Sequence, residues 1–367
     1  MIDASAVERV DPFSASRAWG HRHAWMLAWW LGGRAVVFAA AAASSRSVGA
    51  LHTWDARWYR IVASDGYLLV PGRQSDPAFF PLYPVLLREV HGIGIGYATA
   101  GVAIANVAFL VALVAFHALT RELLGSALAR RATVYLAIFP LGYVFSMGYP
   151  ESVVLAAIAL AGVAALRGRW GLAAAAAAGA ALARPDGVFV ALPLLVVAWQ
   201  RRSRLTPVRR GVAFGSVLAA VGGFAAYPLY LDRVLHDPTA WSKAERAWGR
   251  RFTPLGAVHA LRHLPQAFAS DHWVVRDVAA TICYLLLLAA AARAGAPRAW
   301  LATGATIVVL PLFSGSFASI GRFGLLAPPV FWGLAWLGRD RKVDRSLRVV
   351  SIALLIAATA TVPFAFP

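Results

Sequence analysis

Asp55 stands in the run His52-Thr53-Trp54-Asp55-Ala56-Arg57-Trp58-Tyr59, a carboxylate set among aromatic rings just beyond the first apolar segment. Trp and Tyr gather at membrane interfaces simply as anchors, so the rings by themselves decide nothing. An aspartate wedged between two indoles beside a bilayer is partly desolvated, however, and desolvation makes a carboxylate a better proton acceptor. Asp55 is therefore the candidate general base. The same residue also suits a plain structural task, capping a short helix that begins at Ala56 and pairing with Arg57 or Arg60.

Other polar residues compete for attention. Asp65, Asp76 and Asp237 are alternative carboxylates, with Asp237 in His236-Asp237-Pro238 reading as a turn former. Glu151 follows Tyr149-Pro150 where a helix should start, a favourable place for an anion. Arg34 lies near the middle of the first apolar segment, where an unpaired charge costs about 3 kcal/mol, so it must face a partner or a wet cavity. His259 and His263 have metal-ligand spacing, but no third ligand follows nearby, and no metal site is expected. Phe79-Phe80-Pro81-Leu82-Tyr83-Pro84 carries two prolines three apart and is expected to be a rigid turn. Its rings could wall a cavity or pack the loop onto the helices.

The elements that must position these groups are apolar. Of 367 residues 60% are hydrophobic and 14% charged, which places the chain among membrane proteins and predicts one integral domain over residues 1–367. A net charge of +18 raises nucleic acid as a partner, but the arginines fall in short clusters between apolar runs, as lipid-side anchors do. No nucleic-acid partner is expected. The single Cys283 lies in an apolar run, which excludes a disulfide.

Eleven apolar segments run 24–43, 98–119, 132–147, 151–166, 171–182, 187–199, 211–231, 276–294, 299–313, 322–337 and 347–364. They predict an all-α polytopic bundle of about eleven transmembrane helices. The two flanking Ala183-Arg184-Pro185-Asp186-Gly187 are short for a perpendicular span of roughly 20 residues, so broken or tilted helices are expected there. The tract 171–183 is nearly all Ala and Gly, which suits close helix packing.

With the N-terminus cytoplasmic, every second loop is basic: Arg9/Arg17/Arg22, Arg121/Arg130/Arg131, Arg167/Arg169, the Arg201–Arg210 cluster, Arg293/Arg298 and the cluster after Arg339. Two long outer loops result, residues 44–97 and 232–275. Eleven of the 17 acidic residues fall on the outer side (Asp55, Asp65, Asp76, Glu89, Glu151, Asp186, Asp232, Asp237, Glu245, Asp271 and Asp277). Polar chemistry is thus expected on that face.

The segments HTWDARWYRIVASDGY, FFPLYPVLLR, YPES, LARPDGVF and HDPTAWSKAERAWGRR resemble, in that order, the signature segments of the PIG-V type mannosyltransferases. The resemblance runs from about His52 to Arg322. It implies a GT-C glycosyltransferase, a multispanning inverting enzyme that takes a hexose, mannose in this family, from a polyprenyl-phosphate donor on the non-cytosolic face. Asp55 matches the family's usual catalytic base in the first outer loop. Two positions depart from the family pattern: Glu245, where Gln is common, and Phe323 after Arg322, where Tyr is more usual.

A lipid phosphosugar presents its phosphate at the membrane surface, so fixed cations are needed on the outer side. Arg322 at the outer end of a span is the first candidate, with Arg250, Arg251, Lys243 and Arg184 on the same side. Helix-end arginines also snorkel to lipid phosphate. The expected substrate cavity comprises His52, Trp54, Trp58, Tyr59, Phe80, Tyr83, Tyr149, Glu151, Glu245 and Trp248. The partners expected are the lipid-linked donor as cosubstrate, a glycan, glycolipid or protein acceptor, and membrane lipids; no cofactor is expected. A transporter or lipid flippase is the competing reading, but it needs a polar path across the bilayer and internal repeats that the sequence does not display.

Overall fold

The computed structural model describes residues 14–45, 48–270 and 273–364; Arg9 and Asp271 lie outside them, as do the side chains of Arg17 and Arg22. All the regular structure among the described residues is helical. In chain order the helices are α1 (Ser14–Ser45), α2 (Asp55–Asp65), α3 (Leu82–Gly92), α4 (Tyr97–Leu124), α5 (Ser126–Ala137), α6 (Glu151–Leu166), α7 (Trp170–Ala183) and α8 (Ala191–Arg201). There follow α9 (Pro207–Leu235), α10 (Ala240–Ala247), α11 (Gly256–Arg262), α12 (Leu264–Ser270), α13 (Trp273–Arg293), α14 (Arg298–Val309), α15 (Ile320–Phe323), α16 (Pro328–Leu337) and α17 (Arg341–Thr361).

Each of the eleven apolar segments contains helix, but their lengths differ from a uniform set of spans. Four described helices, within α1, α4, α9 and α13, are long and apolar enough to cross a membrane, and a fifth span results if the bent pair Ile320–Leu326 and Pro328–Leu337 counts as one. That pair turns through 85°. Pro328 and Pro329 remove two backbone donors at the corner, so the helix cannot continue straight. The segments on either side of Arg184 are short, as expected, and are joined by 3-10 backbone over Pro185–Val190.

The Ala/Gly tract forms α7, which packs between α6 and α9. A Cβ on Gly223 of α9 would come within 2.7 Å of the Ala178 carbonyl oxygen, so the absence of side chains sets the spacing of this pair. Arg34 has found its partners: the guanidinium donates to Ala137 O (3.3 Å), Gly142 O (3.0 Å) and Ser146 Oγ (2.8 Å). Ala137 is the last residue of α5, whose terminal carbonyls lack intrahelical partners, and the buried cation occupies the negative end of that helix.

Charged groups from the basic loops meet one another at one end of the bundle. Arg167 pairs with Glu122, Arg201 donates to the carbonyls that end α6, and Asp344 accepts from both Tyr135 and Arg348. The acid-rich loops gather at the other end.

Candidate active site

Asp55 is the first residue of α2, and the backbone turns sharply to put it there: Trp54 has φ of 57°. A bulky residue in that region is costly, by about 1–3 kcal/mol, and persists only where its surroundings impose it. The Asp55 N–H donates to the Tyr149 hydroxyl (3.1 Å), and Gly148 N–H donates to Leu51 O (2.9 Å), so the Tyr149-Pro150-Glu151 turn clamps the start of α2. Trp54 swings away, its indole N–H bonding Val362 O (3.1 Å). The two indoles of the motif are thus engaged with other groups, Trp54 with Val362 O and Trp58 with the Phe79 ring. The carboxylate does not cap its helix either; it meets Arg322, with Arg322 Nη1 2.6 Å from Asp55 Oδ2.

Both partners are almost fully buried, Asp55 at 6% exposure and Arg322 at 4%. Arg322 is thus turned inward by the bent span and is no lipid-snorkelling residue. Behind the pair lies Glu151, fully buried, whose Oε1 is 2.6 Å from Arg184 Nη1 and 3.9 Å from Arg322 Nη1. Arg184 also holds Asp186 Oδ2 at 3.0 Å, and Arg250 lies 3.4 Å from Glu245 Oε2. The Arg184, Arg250 and Arg322 guanidiniums all stand near the Phe323 ring, at 4.7, 5.7 and 5.7 Å.

This chain of acids and arginines forms one wall of a cavity of about 340 Å³. Asp55, Arg184, Asp186, Glu245, Arg250 and Arg322 line it; Tyr59, Phe79, Phe80, Phe224, Trp241, Trp248 and Phe323 supply rings, and Leu310 and Pro311 extend the apolar lining. The paired Asp55 carboxylate therefore still opens onto the cavity.

Several motifs now have a mechanical reason. In Arg184-Pro185-Asp186-Gly187 the glycine packs so tightly that a Cβ would stand 2.1 Å from Ala180 O. Gly187→Ala should push the Arg184 loop off α7 and lower stability by about 1–3 kcal/mol or more, read as a fall in the detergent-solubilised unfolding midpoint. An unchanged midpoint would show that the loop can move without cost. In α10, Trp241 and Glu245, four apart, face the cavity together with Trp248 just past the helix end, while Lys243 and Arg246 lie on another face beside Asp237. Asp237 does form the expected turn, accepting from Thr239 N–H (3.0 Å) and its hydroxyl (2.6 Å).

The aromatic-proline segment both packs and lines. Phe79 stacks on Trp58 and meets Tyr59 and Trp248 edge-on, while Phe80 packs against Tyr227, Phe224 and Trp241. The rigid turn ends sooner than the sequence suggested. Pro84 falls in the first turn of α3, where a missing N–H costs nothing.

Some expected residues stand elsewhere. Lys243 is half exposed and pairs with Asp237 at 2.6 Å, and Arg251 is exposed, its backbone N–H bonding Ser314 O. Neither lines the cavity. Tyr149 and Glu151 lie behind the wall and support it from the rear, and Tyr83 is buried with its hydroxyl donating to Gly101 O (3.0 Å). Trp58 acts through its stacking on Phe79. His52 lines a different, apolar groove with Arg34 and Asn106, and burial, aided by Arg60, holds its imidazole below the usual pKa. Conversely Asp186, Trp241 and Phe323 line the cavity unpredicted. The helical spacing of Trp241 before Glu245 was the available signal for one of them.

Asp76 sits under the loop, buried, accepting from Leu68 N–H at 2.7 Å. Burial pushes its carboxyl up to about 6, against the opposing pull of that hydrogen bond. A folded-state value above the unfolded one makes the folded loop favour the protonated acid, so stability is greatest below about pH 4 and falls as pH rises through about 6. Hydrogen exchange of residues 67–79 should accordingly be faster at pH 7.5 than at pH 5 after correction for the intrinsic rate. Equal corrected rates would place the titration elsewhere.

A scan against protein-family models and a search of curated proteins give no match to this chain. Among solved structures it is similar to the oligosaccharyltransferase of Archaeoglobus fulgidus, crystallised with an acceptor peptide containing the NVT sequon tethered by a disulfide bond. The identity is 12% and the TM-score 0.49, over 94% of this chain and 56% of that one. This chain thus spans little more than half the length of that enzyme.

Proposed function

We propose that the protein is an inverting glycosyltransferase of GT-C type that moves a hexose, mannose by its sequence resemblance, from a polyprenyl-phosphate carrier to an acceptor hydroxyl. The reaction would take place on the extracytoplasmic side, with the N-terminus cytoplasmic. One observation carries the reading: a buried Asp55–Arg322 pair opens onto a ring-lined cavity whose wall holds two further arginines. The carboxylate is the base, and the arginines are the fixed cations that a departing phosphate needs.

In the step itself the acceptor oxygen attacks the anomeric carbon and its proton passes to Asp55. The bond from that carbon to the phosphate oxygen breaks, its electrons leaving on the phosphate, which Arg322, Arg184 and Arg250 would hold. Every lining arginine already faces a carboxylate, so the phosphate must compete for its partner. Capture of Arg322 by phosphate would release Asp55 to take the proton.

Transport would instead need polar groups across the whole bilayer, whereas Arg34, the charge at mid-span, is committed to carbonyls and a serine. The test is release of polyprenyl phosphate from radiolabelled polyprenyl-phosphate mannose by membranes containing the protein. Absence of turnover with mannosyl, glucosyl and galactosyl donors alike would end the enzyme reading.

A further inference from the structure

Two of the three described non-glycine residues with positive φ flank the Asp55–Arg322 pair: Trp54, already described, and Ser319. Ser319 has φ of 69° and ψ of 3°, a left-handed conformation that a residue with a Cβ adopts at a cost. It is fully buried, so no solvent compensates it. Its hydroxyl accepts from Arg322 Nη2 at 3.3 Å and from Arg250 Nη2 at 3.4 Å. One strained serine thus joins two of the three cations on the cavity wall.

What holds Ser319 in place comes from α13. Asp277, fully buried, accepts the Ser319 N–H on Oδ2 at 2.8 Å, while its Oδ1 pairs with Arg276 at 3.2 Å. A Cβ on Gly321 would lie 2.7 Å from Asp277 Oδ1, so the carboxylate sits directly beneath the 319–321 backbone. Two turns further along the same helix side, Tyr284 donates its hydroxyl to Gly321 O. Asp277 does not line the cavity and cannot touch a ligand there.

We propose that Asp277 is a positioning residue for the donor phosphate: by pinning the Ser319 N–H it fixes the serine hydroxyl that brings the Arg322 and Arg250 guanidiniums together. A carboxylate oxygen accepting a backbone N–H is a strong, directional anchor, and it offsets the backbone cost of the left-handed residue. Without it Ser319 relaxes to negative φ, its hydroxyl leaves the guanidiniums, and the two cations lose their common geometry. Small displacements of such groups weaken phosphate capture severely. The inference rests on the glycosyl-transfer reading above.

The experiment compares wild-type protein, Asp277→Ala and Asp277→Asn in nanodiscs. It measures binding of sugar-free undecaprenyl phosphate, together with KM and kcat for the lipid-linked hexose. Asp277→Ala should weaken phosphate-lipid binding and raise the donor KM at least tenfold, with kcat changed less. Asp277→Asn keeps an oxygen acceptor for the Ser319 N–H and should recover most of that loss. Equal damage in both variants, or a fall confined to kcat and folded yield, would overturn positioning in favour of a charge or packing role. Wild-type-like affinity in Asp277→Ala would overturn it too. Failure of the wild type itself to bind undecaprenyl phosphate would instead remove the functional reading, and this inference with it.

Discussion

Asp55→Asn should abolish most sugar transfer, by about 10²- to 10⁴-fold, and yet bind sugar-free polyprenyl phosphate more tightly than the wild type. The two effects share one cause. Asparagine keeps the shape of the side chain but cannot take the acceptor proton, and it no longer competes for Arg322, whose Nη1 stands 2.6 Å from the carboxylate. Removing one partner of a buried pair leaves the other charge uncompensated, at about 3–5 kcal/mol. Glu151, 3.9 Å from the same nitrogen, offsets part of that. An anionic ligand recovers the rest, and every 1.4 kcal/mol recovered corresponds to about tenfold in Kd. Turnover of radiolabelled donor and a phosphate-lipid titration of the same preparation check both halves. Retained turnover would remove Asp55 as the base; unchanged affinity would place the phosphate away from Arg322.

Arg322→Leu carries the second large effect, and its signature differs. Loss of a fixed cation aimed at developing charge lowers turnover by about 10²- to 10³-fold. Asp55 and Glu151 are then left buried without that cation, which costs about 3–5 kcal/mol of stability. Replacing both members of a buried ion pair by neutral residues is far milder than removing one. The double variant Asp55→Asn with Arg322→Leu should therefore regain much of the unfolding midpoint lost by Arg322→Leu while remaining inactive. A double variant less stable than either single one would show that the two residues stabilise the fold through separate contacts.

Much of the helical framework was legible because hydropathy is summed over a window of neighbours. The segments around Glu151–Leu166 and Trp170–Ala183 agree with their helices to within a residue or two. Charge alternation likewise grouped the loops carrying Asp55, Arg184, Glu245, Arg250 and Arg322, and these residues share one cavity. Span lengths were less legible. A run such as 322–337 reads as continuous by composition, whereas Pro328 and Pro329 break it into a corner of 85° that turns Arg322 inward.

Within the site, residue type pointed to arginines and acids but not to their pairing. Lys243 resembled a phosphate ligand by position, and the turn formed by Asp237 claims it instead. Asp277 was visible only as one more acid near the outer end of an apolar run. Its importance comes from Ser319, whose left-handed backbone has no signal in a sequence that puts serine and not glycine there.

By itself the sequence determined an apolar helical chain and singled out Asp55 among its acids, because composition and periodicity are local properties of neighbouring residues. Tertiary structure alone decided that Asp55 faces Arg322, that Glu151 joins Arg322 to Arg184, and that Asp277 supports the loop behind them. Those pairings depend on distances of a few ångströms between segments far apart in the chain. Such distances are set by how helices approach and bend, at Gly223, Gly187 and Pro328, and not by the residues that meet.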